Sequence, residues 1–386
     1  MTTRQKIVEY INSCFNPEVG SALTFGVEQE FFLYAGRNAA PHEASQNLFK
    51  AVASSLNGRL ERADDLGIGN HIAGCKFSIG DCPVTLKYEH HPHLLEFEFA
   101  PMSCISDFEP VLRSSMQTVL QVANNLKLEI EFRPFLRRDV PNEQVESQHS
   151  LCRSLRHYRR RLNADRPEVL NQPSLINFSA YIASTHFHTG GIPKTAVAGL
   201  LNKLYQLEPQ VMQFAWSQVA DVDRDPKRRF HGFCETAQGL PLVGFPDLKE
   251  WTLESWSEAL LEMPHADLGE VQTEPHNIQQ LFKCKRDLSI IQPREYGTFE
   301  FRGDPCLPTA DAILGVLAVR MGLIQNALSN LTDDCDLVSF CESRTRWLDF
   351  DSRCDLDLKV IKLASDGLER NHPTDVNYLQ GFGSQV

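Results

Sequence analysis

The sequence predicts an α+β chain organised around one sheet with an oily back and a charged front. The first observation is the stretch Gly-Val-Glu-Gln-Glu-Phe-Phe-Leu-Tyr at 26–34, whose apolar positions Leu23, Phe25, Val27, Phe31 and Leu33 mark a strand. Side chains alternate between the faces of a strand. Glu28 and Glu30 therefore leave one face, and Val27, Gln29 and Phe31 the other. The second observation is repetition. Leu95-Glu96-Phe97-Glu98-Phe99, Thr185-His186-Phe187-His188 and Phe299-Glu300-Phe301-Arg302 each put two polar groups on one face with an aromatic between them on the other. The third is the set of apolar patterns with a 3.6-residue period that lie before, between and after these strands.

Taken in order, residues 3–15 read as a helix with Ile7, Ile11, Cys14 and Phe15 on one face, stopped by Asn16-Pro17. The acidic strand follows and ends at Gly36. Leu48, Val52 and Leu56 set a helix over 45–56, closed by Asn57-Gly58. Residues 67–74 are rich in glycine but do not match a phosphate-binding loop. Residues 75–100 read as strands, with a turn at Gly80-Asp81 and Pro83 suited to an edge. His90-His91-Pro92-His93 reads as a tight connection that brings Glu89 near Glu96. A strong helix is expected over 107–126 and a strand over 128–132.

Residues 137–171 change character. They are polar and rich in arginine, including Arg137, Arg138, Arg153, Arg156, Arg159, Arg160, Arg161 and Arg166. An exposed helix pairing with acidic neighbours and a basic rim for an anionic ligand are both open. The histidine strand runs over 176–189. A long helical pattern over 194–219 is interrupted at Pro209. A polar loop over 221–233 holds Lys227, Arg228 and Arg229. A short helix over 253–263, a last charged strand over 296–302 and a buried helix over 311–331 complete the ordered part. The stretch from 371 is polar and reads as a loose or lid-like tail. No linker marks a second domain, so one catalytic domain over 1–386 is expected, with the arginine-rich insertion and the tail as appendages.

Composition excludes several classes. The chain has 386 residues, 42% hydrophobic and 23% charged, which suits a globular core. A net charge of -12 argues against charge-driven nucleic-acid binding. The start runs into an amphipathic pattern and not a signal core, and no apolar run is expected to approach the ~18 residues of a membrane span. Eleven scattered cysteines without a Cys-x-x-Cys pair fit reduced thiols in the cytoplasm.

The chemistry follows from the carboxylates. Like charges about 4 Å apart repel by roughly 4 kcal/mol at an effective dielectric near 20. A cation, an arginine or a proton must offset this. Each dyad alone is weak: Glu28/Glu30 reads first as a solvated face, His186/His188 as self-satisfied, Glu300/Arg302 as an ion pair. Their coincidence at one two-residue step points to divalent ions, magnesium or manganese, held by hard oxygen and imidazole ligands. Several such ions on one face suit the alignment of nucleotide phosphates. Arg302 suits a forked contact with a phosphoryl group or a carboxylate.

The motifs Phe-Gly-Val-Glu-Gln-Glu-Phe-Phe-Leu, Leu-Leu-Glu-Phe-Glu-Phe-Ala-Pro, His-x-His-x-Gly and Tyr-Gly-Thr-Phe-Glu-Phe-Arg stand in this order over about 23–328. In that order they resemble the glutamate–cysteine ligase family. More widely they resemble the glutamine synthetase and guanido kinase superfamily of carboxylate–amine ligases. The resemblance implies a curved, mostly antiparallel sheet that forms an active-site funnel with helices on its outer face. It implies ATP-dependent activation of a substrate carboxylate as an acyl phosphate, then attack by an amine to give an amide, ADP and phosphate. Carried over by position, Glu30, Glu89 and Glu96 hold the metal nearest the substrate. Glu28, His186 and Glu300 hold the metal on the nucleotide phosphates, and Arg302 contacts the transferred phosphoryl group. Glu98, His188, Arg228, Arg229, Arg286 and Arg294 are further candidates for contact with substrate or nucleotide. The implied cofactors are ATP and Mg2+, or Mn2+. The implied partners are small molecules, glutamate or a similar carboxylate and an amine, with neither nucleic acid nor membrane. A dinuclear metallohydrolase and a non-catalytic descendant that binds nucleotide or amino acid are the alternatives.

Overall fold

The acidic stretch forms the longest strand, β1 (Thr24–Ala35). In the computed structural model, residues 3–15, 22–64, 69–140, 153, 156–157, 159–161, 163–226, 228, 252–262, 290–330 and 358–380 are described. Nine further strands join β1 in one sheet: β2 (Asn38–Ala39), β3 (Arg59–Ala63), β4 (His71–Ile79), β5 (Cys82–His91), β6 (Leu94–Phe99), β7 (Glu129–Glu131), β8 (Thr185–Gly190), β9 (Ile291–Pro293) and β10 (Phe299–Phe301). Their order is β3-β4-β5-β6-β1-β8-β10-β9, and β2 and β7 also pair with β1. All of these pairings are antiparallel. The fold is therefore mixed α and β around an antiparallel sheet, as the alternating motifs predict.

The longer helices are α1 (Thr3–Cys14), α2 (His42–Ser55), α3 (Ile105–Asn125), α4 (Val197–Ser217), α5 (Leu253–Glu262), α6 (Ala310–Ser329) and α7 (Leu358–Asn371). One large core joins the oily side of the sheet to these helices. Phe25, Val27, Phe31, Phe97, Phe187, Phe299 and Phe301 meet Phe49 of α2, Phe108 of α3, Leu204 of α4 and Leu317 of α6. Full burial of one such side chain stabilises by about 1.5–3 kcal/mol. The same burial fixes strand register, because a slip by one residue would turn Glu28 and Glu30 into this core. Beyond Glu30 the charged side of β1 becomes apolar. Phe32 and Tyr34 enter a second cluster with Leu94, Leu136 and Tyr181.

Several elements differ from the sequence reading. The helix α4 runs through Pro209 instead of breaking there. Pro209 and its neighbours Tyr205, Val211 and Met212 are buried, and that packing offsets the lost backbone bond. The strands β3 and β9 fall where no alternation was read, since three to five residues carry too short a pattern. The histidine strand begins only at Thr185, and Pro173–Ile176 and Phe178–Ala180 are helical turns. Pro83 does not lie on an edge strand. It is the second residue of β5, which runs between β4 and β6. The polar stretch from 371 is folded as far as 380. Pro373–Val376 forms a 3-10 turn, and Asp375 accepts from the N–H groups of Ile105 (3.1 Å) and Ser106 (3.3 Å) at the start of α3. A buried carboxylate there satisfies open N–H groups and complements the helix dipole.

Among the described residues one helix, α6, is long and apolar enough to cross a membrane by length and composition, contrary to the expectation that no apolar run approaches that length, and 89% of that window is buried within the protein. It is the core helix expected over 311–331. It crosses α7 at backbone contact. A Cβ on Gly322 would lie 2.2 Å from the Ala364 carbonyl oxygen, and one on Gly367 would lie 2.0 Å from the Gly322 carbonyl oxygen. Neither backbone can yield without separating the helices. Gly322→Ala or Gly367→Ala is therefore expected to lower unfolding stability by about 1–3 kcal/mol in urea titrations. A change below about 0.5 kcal/mol, the usual scale of a surface substitution, would show that the two helices do not meet there.

Candidate functional site

Antiparallel register places the polar side chains in rows across one face. Glu28 of β1 stands opposite Glu98 of β6 and His186 of β8. Glu30 stands opposite Glu96, which stands opposite Lys87 of β5. Glu300 of β10 stands opposite His188. Four separate motifs thus converge on a common wall because each keeps its polar groups two residues apart.

The wall has two halves that share Glu28. In one half, His186 Nδ1 is 3.3 Å from Glu28 Oε2, and His188 Nε2 is 3.2 Å from Glu28 Oε1. His186 Nδ1 is also 3.8 Å from Glu300 Oε1. Glu300 is buried and accepts from Arg302 Nη1 at 2.9 Å and from Arg294 Nη1. In the other half, Lys87 Nζ donates to Glu98 Oε1 at 2.6 Å. It lies 3.5 Å from Glu96 Oε2 and 4.0 Å from Glu89 Oε2. Glu28, His188 and Glu300 can bring one ligand atom each within 4.8 Å of one another, and so can Glu28, Glu96 and Glu98.

The halves are electrostatically unlike. Burial pushes the Glu28 carboxyl up, but the hydrogen bonds and charge of His186 and His188 outweigh it and hold the group well below the usual range. Burial likewise opposes ionisation of Glu300, and Arg302, His186 and Arg294 overcome it, so its pKa is lowered. Glu96 moves the other way. Burial and the nearby charges of Glu89 and Glu28 raise its pKa well above the ordinary value, against the attraction of Lys87. Burial disfavours the Lys87 ammonium, yet Glu96, Glu89 and Glu98 together raise its pKa.

The donor set suits a hard divalent ion. Carboxylate oxygens and imidazole nitrogens are ligands for magnesium and manganese. His188 Nε2 and Glu96 Oε2 are buried and make no hydrogen bond of good geometry, and each has a charged group close by, Glu28 Oε1 at 3.2 Å and Lys87 Nζ at 3.5 Å.

The back of the site is braced by charge. Phe187 and Phe301 sit between the polar residues of β8 and β10 and face α6. The Arg320 guanidinium lies 4.4 Å from the Phe301 ring centre and 5.6 Å from that of Phe187. Arg320 is held by Glu208 through two bonds of 2.8 Å and by Asp304 at 2.9 and 2.6 Å. On β1, Gln29 is fixed by Thr185 Oγ1 at 2.7 Å, and Thr185 accepts from Leu307 N at 2.9 Å.

Other predicted residues are placed differently. Arg294 joins the wall through Glu300. Arg228 instead lies over the Phe135 ring at 4.3 Å, with its backbone N–H on Asp225 Oδ1 at 2.9 Å. Burial and the nearby Arg138 lower its pKa. Arg229, Arg286 and Lys227 lie outside the described residues. In the arginine-rich stretch, Arg137 lies outside any helix, pairs with Glu131 at 2.8 Å and stacks on Tyr34 at 4.1 Å, and much of 141–162 lies outside the described residues. Lys87 was missed. Its signal was present: Lys87-Tyr88-Glu89 carries the same two-residue step as the four acidic and histidine motifs.

No family model matches the chain, and no curated protein matches it by sequence. Among solved structures, it is similar to glutamate–cysteine ligase from Francisella tularensis in complex with AMP. That match has 13% identity and a TM-score of 0.47 and covers 95% of this chain and 82% of that one. It is also similar to a bifunctional glutathione synthetase from Pasteurella multocida, with 10% identity and a TM-score of 0.47 over 99% of this chain and 48% of that one. A third similarity is to GmaS without ligand, with 12% identity and a TM-score of 0.38 over 98% of this chain and 71% of that one. The chain thus spans about half the length of that glutathione synthetase.

The turn that aims Glu89 and Glu96 rests on His93. Its ring is buried beside Phe32, and Nε2 donates to the Ala180 carbonyl at 2.9 Å. Burial drives its pKa from 6.5 down to about 4. Between those values the unfolded chain binds a proton that the folded chain does not, so stability falls as pH drops from 6.5 towards 4. The loss is about 3 kcal/mol. His93→Gln keeps a donor for Ala180 and cannot titrate. Urea titrations of the two proteins across this window should give a flatter pH dependence for the variant. Equal slopes would remove His93 as the source.

Proposed function

We propose that the chain is an ATP-dependent carboxylate–amine ligase that forms an amide through an acyl phosphate, releasing ADP and phosphate. The observation that carries this reading is the shared Glu28. It joins an imidazole–carboxylate group and an all-carboxylate group on one wall, beside the arginine pair Arg294 and Arg302.

The chemistry requires such a wall. A carboxylate repels nucleophiles, and hydroxide leaves poorly. Phosphorylation supplies a leaving group, at the cost of gathering several negative charges in one place. A divalent ion held by Glu28, His186, His188 and Glu300 would neutralise and align the nucleotide phosphates. The carboxylates Glu30, Glu89, Glu96 and Glu98 would form a second cation position, towards the acyl substrate. Arg302 lies beside Glu300 with a partly exposed side chain and presents its fork to the transferred phosphoryl group. The half-buried Arg294 holds the other oxygen of Glu300. Glutamate, activated at its γ-carboxylate, is the acyl donor suggested by the motif order, and an amino acid or small amine is the acceptor. The arginine pair favours phosphoryl transfer over a hydrolase that only activates water.

The test is ADP release with magnesium or manganese across a panel of carboxylates and amines, followed by mass analysis of the product. Release that depends on both substrates is expected, and turnover without ATP would identify a hydrolase instead. Arg302→Lys is expected to lower kcat by about 10²–10³ with unchanged circular dichroism, because lysine cannot make the forked contact. Normal turnover in that variant would remove Arg302 from the site.

A further inference from the structure

The carboxylate half of the wall already contains a cation. Lys87 Nζ stands among Glu98 (2.6 Å), Glu96 (3.5 Å) and Glu89 (4.0 Å), two of which belong to the position nearest the acyl substrate. The strand register sets it there, since Lys87 is the cross-strand partner of Glu96 and Tyr88 points to the core on the opposite face. Among the described residues no lysine pairs with the acids of the other half. There, Glu300 is met by two arginines on one side while Glu28 and the histidines remain as ligands. A divalent ion placed among the half-buried Glu89 and Glu98 and the buried Glu96 would approach the ammonium at a distance where two cations repel.

We propose that the Lys87 ammonium is the resident cation of the carboxylate half, so that the chain binds divalent metal only in the half formed by Glu28, His186, His188 and Glu300. This rests on the ligase reading for the purpose of the wall but not for the count of ions. An ammonium carries one positive charge and three donors, and it bridges carboxylates without an inner shell of ordered ligands. It therefore neutralises the acidic cluster without a site that must be loaded. Lys87 is a positioning residue in this scheme. It sets the orientation of Glu89, Glu96 and Glu98, and it balances their charge in place of a metal ion.

The experiment counts bound Mn2+ on the full chain by loss of the free-ion electron paramagnetic resonance signal, with and without ADP. Lys87→Met is expected to bind one more Mn2+ per chain than the wild type, and Lys87→Arg, which keeps the charge, the wild-type number. Equal counts in wild type and Lys87→Met overturn the proposal, as does an additional ion in Lys87→Arg. Should Lys87→Met be folded only in the presence of metal, thermal denaturation decides. A larger Mn2+-dependent rise in Tm than in the wild type supports the proposal, and an equal or smaller rise overturns it. None of these readouts needs turnover. A chain that releases no ADP yet gains an ion in Lys87→Met loses the ligase reading alone, and an active ligase with equal counts loses this proposal alone.

Discussion

Mutual repulsion among carboxylates on one face of the sheet governs this structure. Glu28, Glu30, Glu96, Glu98 and Glu300 reach that face because each lies two residues from another polar group on its strand, and the strands pair in register. Water cannot screen the group fully, since Glu30, Glu96 and Glu300 are buried. Every feature of the site answers that repulsion. Two histidines flank Glu28, two arginines grip Glu300, and a lysine enters among the remaining acids. The result is a wall with a cation-rich side and an acid-rich side.

The wall is kept flat to its purpose by what lies behind it. Phe187 and Phe301 alternate with the histidines and with Glu300, so their packing aims the polar groups. Arg320 stacks on Phe301 and is itself clamped by Glu208 and Asp304. Burial raises the pKa of Glu208 to about 7 even with this partner. A buried ion cluster is weak evidence of net stability. Its directional bonds do fix where α4 and α6 stand against β8 and β10.

The legible parts of the sequence were those with repeated period. The two-residue alternation disclosed β1, β6, β8 and β10 and the side from which Glu28, Glu30, Glu96, His186, His188 and Glu300 project. The 3.6-residue pattern disclosed α2, α3 and α6 within a few residues of their ends. Short strands such as β9 were invisible because three residues contain too few alternations. Pro209 misled because the local penalty of proline is visible in sequence and the burial that offsets it is not. Lys87 escaped because its meaning lies in the pairing of β5 with β6, across a bulge that falls between Tyr88 and His91. Asp375 escaped for the same reason: its partners at the start of α3 are some 270 residues away in the chain.

The placement of β1 has a further bearing on how the molecule breathes. One edge of this strand is occupied by β6 and the other by β8 and then β7. Its amide protons are thus shielded along nearly the whole strand, in contrast to β3 and β9 at the ends of the ladder. Local opening begins where fewest neighbours must be released. The periphery can therefore fray and reclose while Glu28 and Glu30 keep their positions on the most shielded strand described.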